Sequence, residues 1–197
     1  MSAYIYLFQE RIIYWTPQTL YSKPVAVQKV KWYSITGAIP MPLNDMVTRG
    51  NVGYSMQKGF YTVEGELPPN WDEREGLIKQ LQILAGLNTI TNTQRAKYTD
   101  NSIGQPLMDV LLVDEIRQYR KNGSLDECTI ITSLLETDEQ NLTPDALVTK
   151  LWLQYESYRT VISYLNRLEF KVRQLLRDHE YDKANDLIAA EVEKMRI

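Results

Sequence analysis

The chain offers very few side chains for catalysis or metal binding. Its only histidine is His179 and its only cysteine is Cys128, so no zinc cluster of the usual histidine and cysteine type can form within one chain. Neither residue lies in a motif for a Cys–His catalytic pair. Cys128 shares an apolar helical face with Ile131 and Leu135, which predicts buried packing. His179 falls at the end of a predicted long helix, where a cation is favoured by the helix dipole.

Other chemical motifs are also missing. The segment GNVGYSMQKG, residues 50–59, has glycines and a lysine but matches neither a phosphate-binding loop nor the dinucleotide fingerprint. No nucleophile elbow or calcium loop is present. Neighbouring carboxylates occur as Asp109 with Asp114, and as Glu136 with Asp138 and Glu139. Acidic residues at this abundance give such groups by chance, and we interpret them as a solvated surface. We therefore predict no enzymatic activity, no cofactor and no bound metal.

The first third of the chain combines aromatic side chains with basic ones. We predict a contact surface there from Trp15, Trp32, Tyr33 and Tyr54. Basic residues accompany them at Lys23, Lys29, Lys31, Arg49 and Lys58. Aromatic rings beside cations on a small β-domain can hold single-stranded nucleic acid by stacking and phosphate contacts. The local excess is only two positive charges, six basic against four acidic residues, which favours use of the rings in the core and in protein interfaces.

Composition excludes several classes of protein. The net charge of −3 over 197 residues gives no general case for binding nucleic acid or an anionic membrane. No run of 18 apolar residues is present, so no membrane span is predicted. The N-terminus lacks a basic region and its apolar run is interrupted at residues 9–11, unlike a signal peptide. A single cysteine is typical of a reducing compartment. We expect a cytoplasmic or virion protein.

The two parts of the chain differ in composition, and this difference predicts two domains. Residues 1–71 hold 12 of the 20 aromatic residues, and residues 1–69 hold six of the eight prolines. A Pro pair at 68–69 favours extended backbone and ends the preceding element. We therefore predict a β-rich, aromatic-rich contact module at 1–69 and a helical module at 70–197, together an α+β fold.

Local sequence patterns predict where the strands and helices lie. Aromatic and β-branched runs predict short strands before residue 69. Helices are predicted from Asn70, from Pro106 to Asn122, and from a capping box at 124–127. Two further helices are predicted after these: a long helix at about 144–178 and a final helix at about 182–196, separated by a turn.

The long helix dominates the prediction. Thr143 suits the N-cap position and Pro144 the first helical position. An apolar stripe then recurs in steps of three and four residues, as on one face of a helix. About 35 residues span roughly 52 Å, whereas a globule of this length is roughly 40 Å across. The helix must therefore bend inside a monomeric core or pack against another chain, and we favour the second. The predicted oligomer interface is Leu151, Tyr155, Tyr158, Ile162, Leu165, Leu168, Val172 and Leu175.

These observations favour a non-enzymatic structural or assembly protein that oligomerises through its helical module. Chains rich in Tyr, Thr, Asn and Gln with this layout look like small virion components of bacteriophages: connector, neck, tail or assembly proteins. No motif carries that likeness residue by residue. The expected partners are further copies of the chain and other structural proteins, with no membrane. The alternative is an accessory protein that binds single-stranded nucleic acid through the N-terminal aromatic and basic residues.

Overall fold

A computed structural model describes residues 2–18, 23–37, 50–97, 105–137 and 141–195, and the side chains of these residues except 105–109 and 195. The strands are β1 (Ser2–Phe8), β2 (Arg11–Pro17), β3 (Lys31–Thr36), β4 (Val52–Ser55) and β5 (Gly59–Thr62). The helices are α1 (Glu73–Ala96), α2 (Gln105–Asn122), α3 (Thr129–Thr137), α4 (Pro144–Arg177) and α5 (Tyr181–Met195). The predicted α+β order, with strands first and one long helix, is confirmed.

Strand β1 is the centre of the larger sheet. It pairs antiparallel with β2 on one side and with β3 on the other, giving the order β2-β1-β3. Because side chains alternate along a strand, Ala3, Ile5 and Leu7 share one face, where they form a cluster with Ile12 and Ile35. The antiparallel hairpin β4-β5 packs on this cluster through Val52, Tyr54 and Phe60. The aromatic side chains of the first third therefore build a core.

The opposite face of the sheet is also covered. Tyr6 is fully buried, packs on Tyr14 at a ring distance of 5.7 Å, and accepts a 2.9 Å hydrogen bond from the backbone N–H of Val25. Phe8 stacks on Trp71 with the ring centroids 6.1 Å apart. Burial raises the pKa of both Tyr6 and Tyr14, so both phenols remain neutral and hold this layer together.

A buried arginine connects the sheet to the segments that follow it. Arg11 is 4% exposed and donates from Nη1 to the carbonyl of Gly50 at 2.6 Å and from Nη2 to that of Glu66 at 3.1 Å. Its guanidinium carbon lies 6.0 Å from the centre of the Trp71 ring. Gly50 has φ of +63°, and a Cβ there would lie 2.6 Å from the Trp71 ring. Glycine is required because both the backbone angle and the close approach exclude a side chain.

Residues on both sides of position 69, where composition predicts a domain boundary, belong to one compact unit of the chain. The first unit comprises 1–93 together with 169–197, and the second comprises 94–168. Contacts across residue 69 explain why the strands and α1 belong together: Lys29 pairs with Glu73 at 2.8 Å, and the side chain of Asn88 donates to the carbonyl of Lys23 at 3.3 Å. Helices α1 and α4 each contribute residues to both units.

The second unit has its own core, built from α2, α3 and the start of α4. Its buried residues are Ile116, Tyr119, Cys128, Ile131, Leu147 and Val148. The carboxylate of Glu115, in α2, accepts hydrogen bonds from the backbone N–H groups of Ile130 and Ile131 at 2.9 and 3.0 Å. A capping box at 124–127 was the sequence prediction for the start of this helix, whereas α3 begins at Thr129 and is capped from another helix.

Helix α4 runs from Pro144 to Arg177 without interruption, 34 residues or about 51 Å. Thr143 caps it as predicted, since its Oγ1 accepts from the N–H of Ala146 at 3.3 Å. His179 has φ of +58°, and the N–H of Glu180 bonds to the carbonyl of Leu175 at 2.9 Å, which ends the helix before α5 begins. No helix in the described ranges is long and apolar enough to cross a membrane.

Candidate functional site

The predicted interface stripe on α4 is covered by the chain in one part and partly exposed in the other. Leu165, Leu168 and Val172 are buried, with exposed fractions of 1%, 5% and 0%. The remaining predicted members are partly exposed: Leu151, Tyr155, Tyr158, Ile162 and Leu175. The first four of these are consecutive members of the stripe, so the accessible part of the predicted interface is continuous.

We call residues 149–164 of α4 the exposed stretch. None of its 16 side chains is buried, although Val148 before it is 3% exposed and Leu165 after it is 1% exposed. Half of these 16 residues are apolar or aromatic: Leu151, Trp152, Leu153, Tyr155, Tyr158, Val161, Ile162 and Tyr164. Leu153 is 61% and Tyr164 41% exposed. A helix surface of this composition that stays partly exposed is typical of a surface that packs against another molecule.

The spacing within the exposed stretch is that of a coiled-coil seam. Leu151, Tyr155, Tyr158 and Ile162, which we call the seam, are separated by four, three and four residues. Apolar residues in alternating steps of three and four keep one side of a helix facing a partner helix. Leu165, three residues further on, continues the pattern into the buried part. The seam is therefore suited to helix-to-helix packing.

The seam forms one wall of a cleft in the second unit. This open cleft, of about 1060 Å³, lies between α2 and α4. Leu151, Tyr155 and Tyr158 line it from α4, and residues of α2, among them Val113, Asp114 and Arg117, line it from the other side. Asp114 and Arg117 form an exposed ion pair with an N–O distance of 3.3 Å. The cleft thus combines an apolar wall with a charged pair.

Neighbouring contacts hold the α4 wall in place. Arg120 lies over the ring of Trp152 at 4.7 Å, and Trp152 packs against Tyr155 with the ring centroids 5.4 Å apart. The hydroxyl of Tyr119 donates to Asp145 at 3.0 Å. Burial, followed by this hydrogen bond, raises the pKa of Tyr119. The positions of these rings are therefore fixed by contacts within the chain.

The predicted N-terminal contact residues do not share one surface. Trp15 and Tyr33 both lie opposite Ile5 in the sheet and so face the same side, where they pack with Tyr54 on the core cluster. Trp32 pairs with Tyr6 and therefore points to the other side of the sheet. It is 42% exposed and makes an edge contact with Tyr4 at 5.9 Å. Trp32 alone of the four is largely accessible.

The surroundings of Cys128 and His179 are structural. Cys128 is buried, and burial, with the nearby Glu115 carboxylate, raises its pKa, which makes the thiol unreactive. The Nδ1 atom of His179 lies 3.0 Å from the hydroxyl of Tyr181, which also accepts from the side chain of Gln80. No group of three potential metal ligands occurs among the described residues. The side chains of Asp109, Asp138 and Glu139 lie outside that part of the chain.

The seam belongs to the interface stripe predicted from the sequence, whereas no sequence signal was assigned to the other wall of the cleft. Val113 and Arg117 are ordinary residues of a surface helix, and Asp114 was interpreted only as a solvated carboxylate. The signal that could have drawn attention to α2 is its ion pair at the spacing i, i+3 beside apolar residues. Comparison of the chain with models of known protein families, with curated proteins and with solved structures found no match.

Proposed function

We propose that this chain is a non-enzymatic assembly protein that associates with further copies of itself through the helical unit. The exposed stretch of α4 carries the proposal, because it is an apolar, coiled-coil-like helix surface that its own chain leaves partly exposed. Burial of apolar surface is the main driving force of association, at about 25 cal/mol per Å². The seam supplies aliphatic and aromatic side chains already held in place.

A second physical argument supports the same proposal. Helices in water gain most of their stability from tertiary packing of an apolar face rather than from intrinsic propensity. The exposed stretch contains β-branched and aromatic residues, among them Tyr155, Tyr158 and Ile162, which are weaker helix formers than alanine. Packing against a second helix would add to the stabilisation that this stretch obtains from its own chain.

The setting that we propose is a bacteriophage virion, as a connector, neck, tail or assembly component, with other structural proteins as further partners. This part of the proposal is supported by composition and layout alone.

The proposal is tested by the mass of the protein in solution. Light scattering after size exclusion at high micromolar concentration should give a multiple of 23.0 kDa for the wild type. The double variant Tyr155→Glu, Tyr158→Glu should shift the mass to that of a monomer, because charges would be buried in the interface.

Thr160→Glu is the matched control. Thr160 is exposed, and at about 100° per residue it lies roughly opposite the seam. It should leave the mass unchanged. Circular dichroism verifies that all variants retain their helices. A monomeric wild type at high micromolar concentration would contradict the proposal.

A second candidate function rests on Trp32. Its ring is 42% exposed on the sheet, so stacking on a base is feasible. Fluorescence anisotropy with a labelled single-stranded DNA should then show binding that weakens with salt and is lost in Trp32→Ala. Absence of binding at low salt removes this candidate.

A further inference from the structure

We infer that the β4–β5 hairpin is a lid over the apolar face of the three-stranded sheet, and that the Arg11 side chain is the latch that holds it closed. We call residues 52–62, the two strands and the turn between them, the lid. The lid opens as one unit while the sheet stays folded. This inference concerns the first unit alone and does not depend on the proposed self-association.

The lid has little stability of its own. Each of its two strands has four residues, and an isolated two-stranded hairpin is marginally stable at best in water. The lid forms a sheet separate from β2-β1-β3, so no ladder joins it to any other described strand. Of residues 51–66, only Gly53 is buried. The lid therefore depends on its contacts with the rest of the unit.

The face beneath the lid is apolar and fully covered. The lid packs on it through three partly exposed side chains, Val52, Tyr54 and Phe60. The covered residues are at most 6% exposed: Ala3, Ile5, Leu7, Ile12 and Ile35. The opposite face of β1 has a cover of its own, because Tyr6 and Phe8 pack on other aromatic rings. The sheet therefore keeps one covered face when the lid opens, and the other face becomes accessible to water.

Arg11 fastens the lid at both ends. Its two terminal nitrogens donate to the carbonyl of Gly50, two residues before β4, and to that of Glu66, four residues after β5. The planar guanidinium can serve both carbonyls because its N–H donors form a fixed fork, whereas the ammonium of lysine is a single point charge. Arg11 is only 4% exposed, so these hydrogen bonds are shielded from competing water. Both ends of the lid therefore depend on one side chain.

The closed lid fits closely against the turn between β1 and β2. A Cβ at Gly53 would lie 2.7 Å from the carbonyl oxygen of Glu10 and 2.7 Å from the Tyr61 ring. Because the first of these contacts is with a backbone atom, it cannot be relieved by rotation of a side chain. Glycine at this position therefore allows the lid to reach the sheet.

Hydrogen exchange of the wild type in low concentrations of urea, resolved by residue with NMR, tests the lid. Amides of β4 and β5 should be protected at least about 10-fold less than those of β1, because the lid opens without unfolding the sheet. Their protection should fall together and with a common slope as urea is added, because one opening exposes one surface. Equal protection of the lid and β1 overturns the inference. So does lid protection that is independent of urea, because strand ends that fray expose little surface.

Arg11→Lys tests the latch. Exchange of the β4 and β5 amides should become at least about 10-fold faster, because the fork that holds both ends is lost. Exchange of the β1 amides should change by less than about 3-fold, because the sheet stays folded. Unchanged exchange of the lid, or equal acceleration in the lid and in β1, overturns the inference. A variant that does not fold also overturns it, because a latch on the lid alone is not needed to fold the sheet.

Arg74→Lys is the matched control. Like Arg11, Arg74 lies over the Trp71 ring, at 5.1 Å, but its hydrogen bond is to the carbonyl of Trp71, which lies outside the lid. Exchange of the lid amides should stay within about 2-fold of the wild type, because the contacts at both ends of the lid are kept. Acceleration of the lid as large as that in Arg11→Lys would show that the Trp71 ring, and not the guanidinium fork, holds the lid, and would overturn the inference.

Discussion

Helix α4 carries an apolar stripe in two stretches that have different surroundings. In the later stretch Leu165, Leu168, Val172 and Leu176 are all buried within the chain. In the earlier stretch no residue from 149 to 164 is buried, although the seam repeats with the same steps of three and four residues. Periodicity therefore specifies which side of a helix is apolar but not how fully the chain itself covers that side. That second property depends on the elements that pack alongside.

The largest expected effect is a difference in the free energy of unfolding between two leucine-to-alanine variants, one from each stretch. Leu165→Ala should lower the free energy of unfolding by about 3 kcal/mol, because Leu165 is 1% exposed and its removal leaves a cavity. Leu151→Ala should cost about 1 kcal/mol or less at low protein concentration, because Leu151 is partly exposed. Urea denaturation measures both. Equal losses would show that the two stretches are not covered differently.

The next largest expected effect is a loss of stability at the start of α3, in the second unit. Glu115→Ala should destabilise the protein by about 1–2 kcal/mol, because it removes the carboxylate that accepts from the N–H groups of Ile130 and Ile131 at the start of α3. The exposed Glu136 serves as the control, and Glu136→Ala should change stability by less than about 0.5 kcal/mol. Thermal unfolding distinguishes them, and a harmless Glu115→Ala would contradict the capping role.

The smallest effect is a surface ion pair with a defined dependence on pH. Lys29 donates to Glu73 at 2.8 Å, and this hydrogen bond lowers the pKa of Glu73. A lowered folded-state pKa gives stabilisation that is complete above the unfolded pKa of about 4.3 and is lost as the pH falls through the folded value. Lys29→Met should therefore lower the melting temperature slightly at neutral pH and not at about pH 3.

Lys31→Met is the control for this comparison, because Lys31 is exposed in strand β3. It should have no pH-dependent effect on the melting temperature. A difference between wild type and Lys29→Met that is equally large at both pH values would exclude the ion pair as its cause.

Structural features that depend on residues close together in the sequence were predictable. The start of α4 follows from Thr143 and Pro144, whose capping and backbone preferences act within one turn, and the structure places the helix at Pro144–Arg177. The α+β order follows from the change in composition. Burial of Cys128 also followed from its position on an apolar helical face.

Features that depend on distant residues were not predictable from the sequence. Glu115 caps a helix that begins 14 residues later, and Arg11 contacts backbone carbonyls of residues 50 and 66. The contacts that join α1 to the strands across residue 69 are a further case, because Pro68 and Pro69 interrupt an element without separating the elements on either side. The α2 wall of the cleft depends in the same way on how two helices are brought together.

Hydrogen exchange as a function of protein concentration tests the central claim most directly. Peptides covering the exposed stretch, 149–164, should exchange more slowly as the concentration rises, because association covers this helix surface and suppresses its opening. Peptides from 165–177 should exchange at nearly the same rate at every concentration, since Leu165 and Val172 are already buried within the chain. Exchange that is independent of concentration in both stretches would contradict the account.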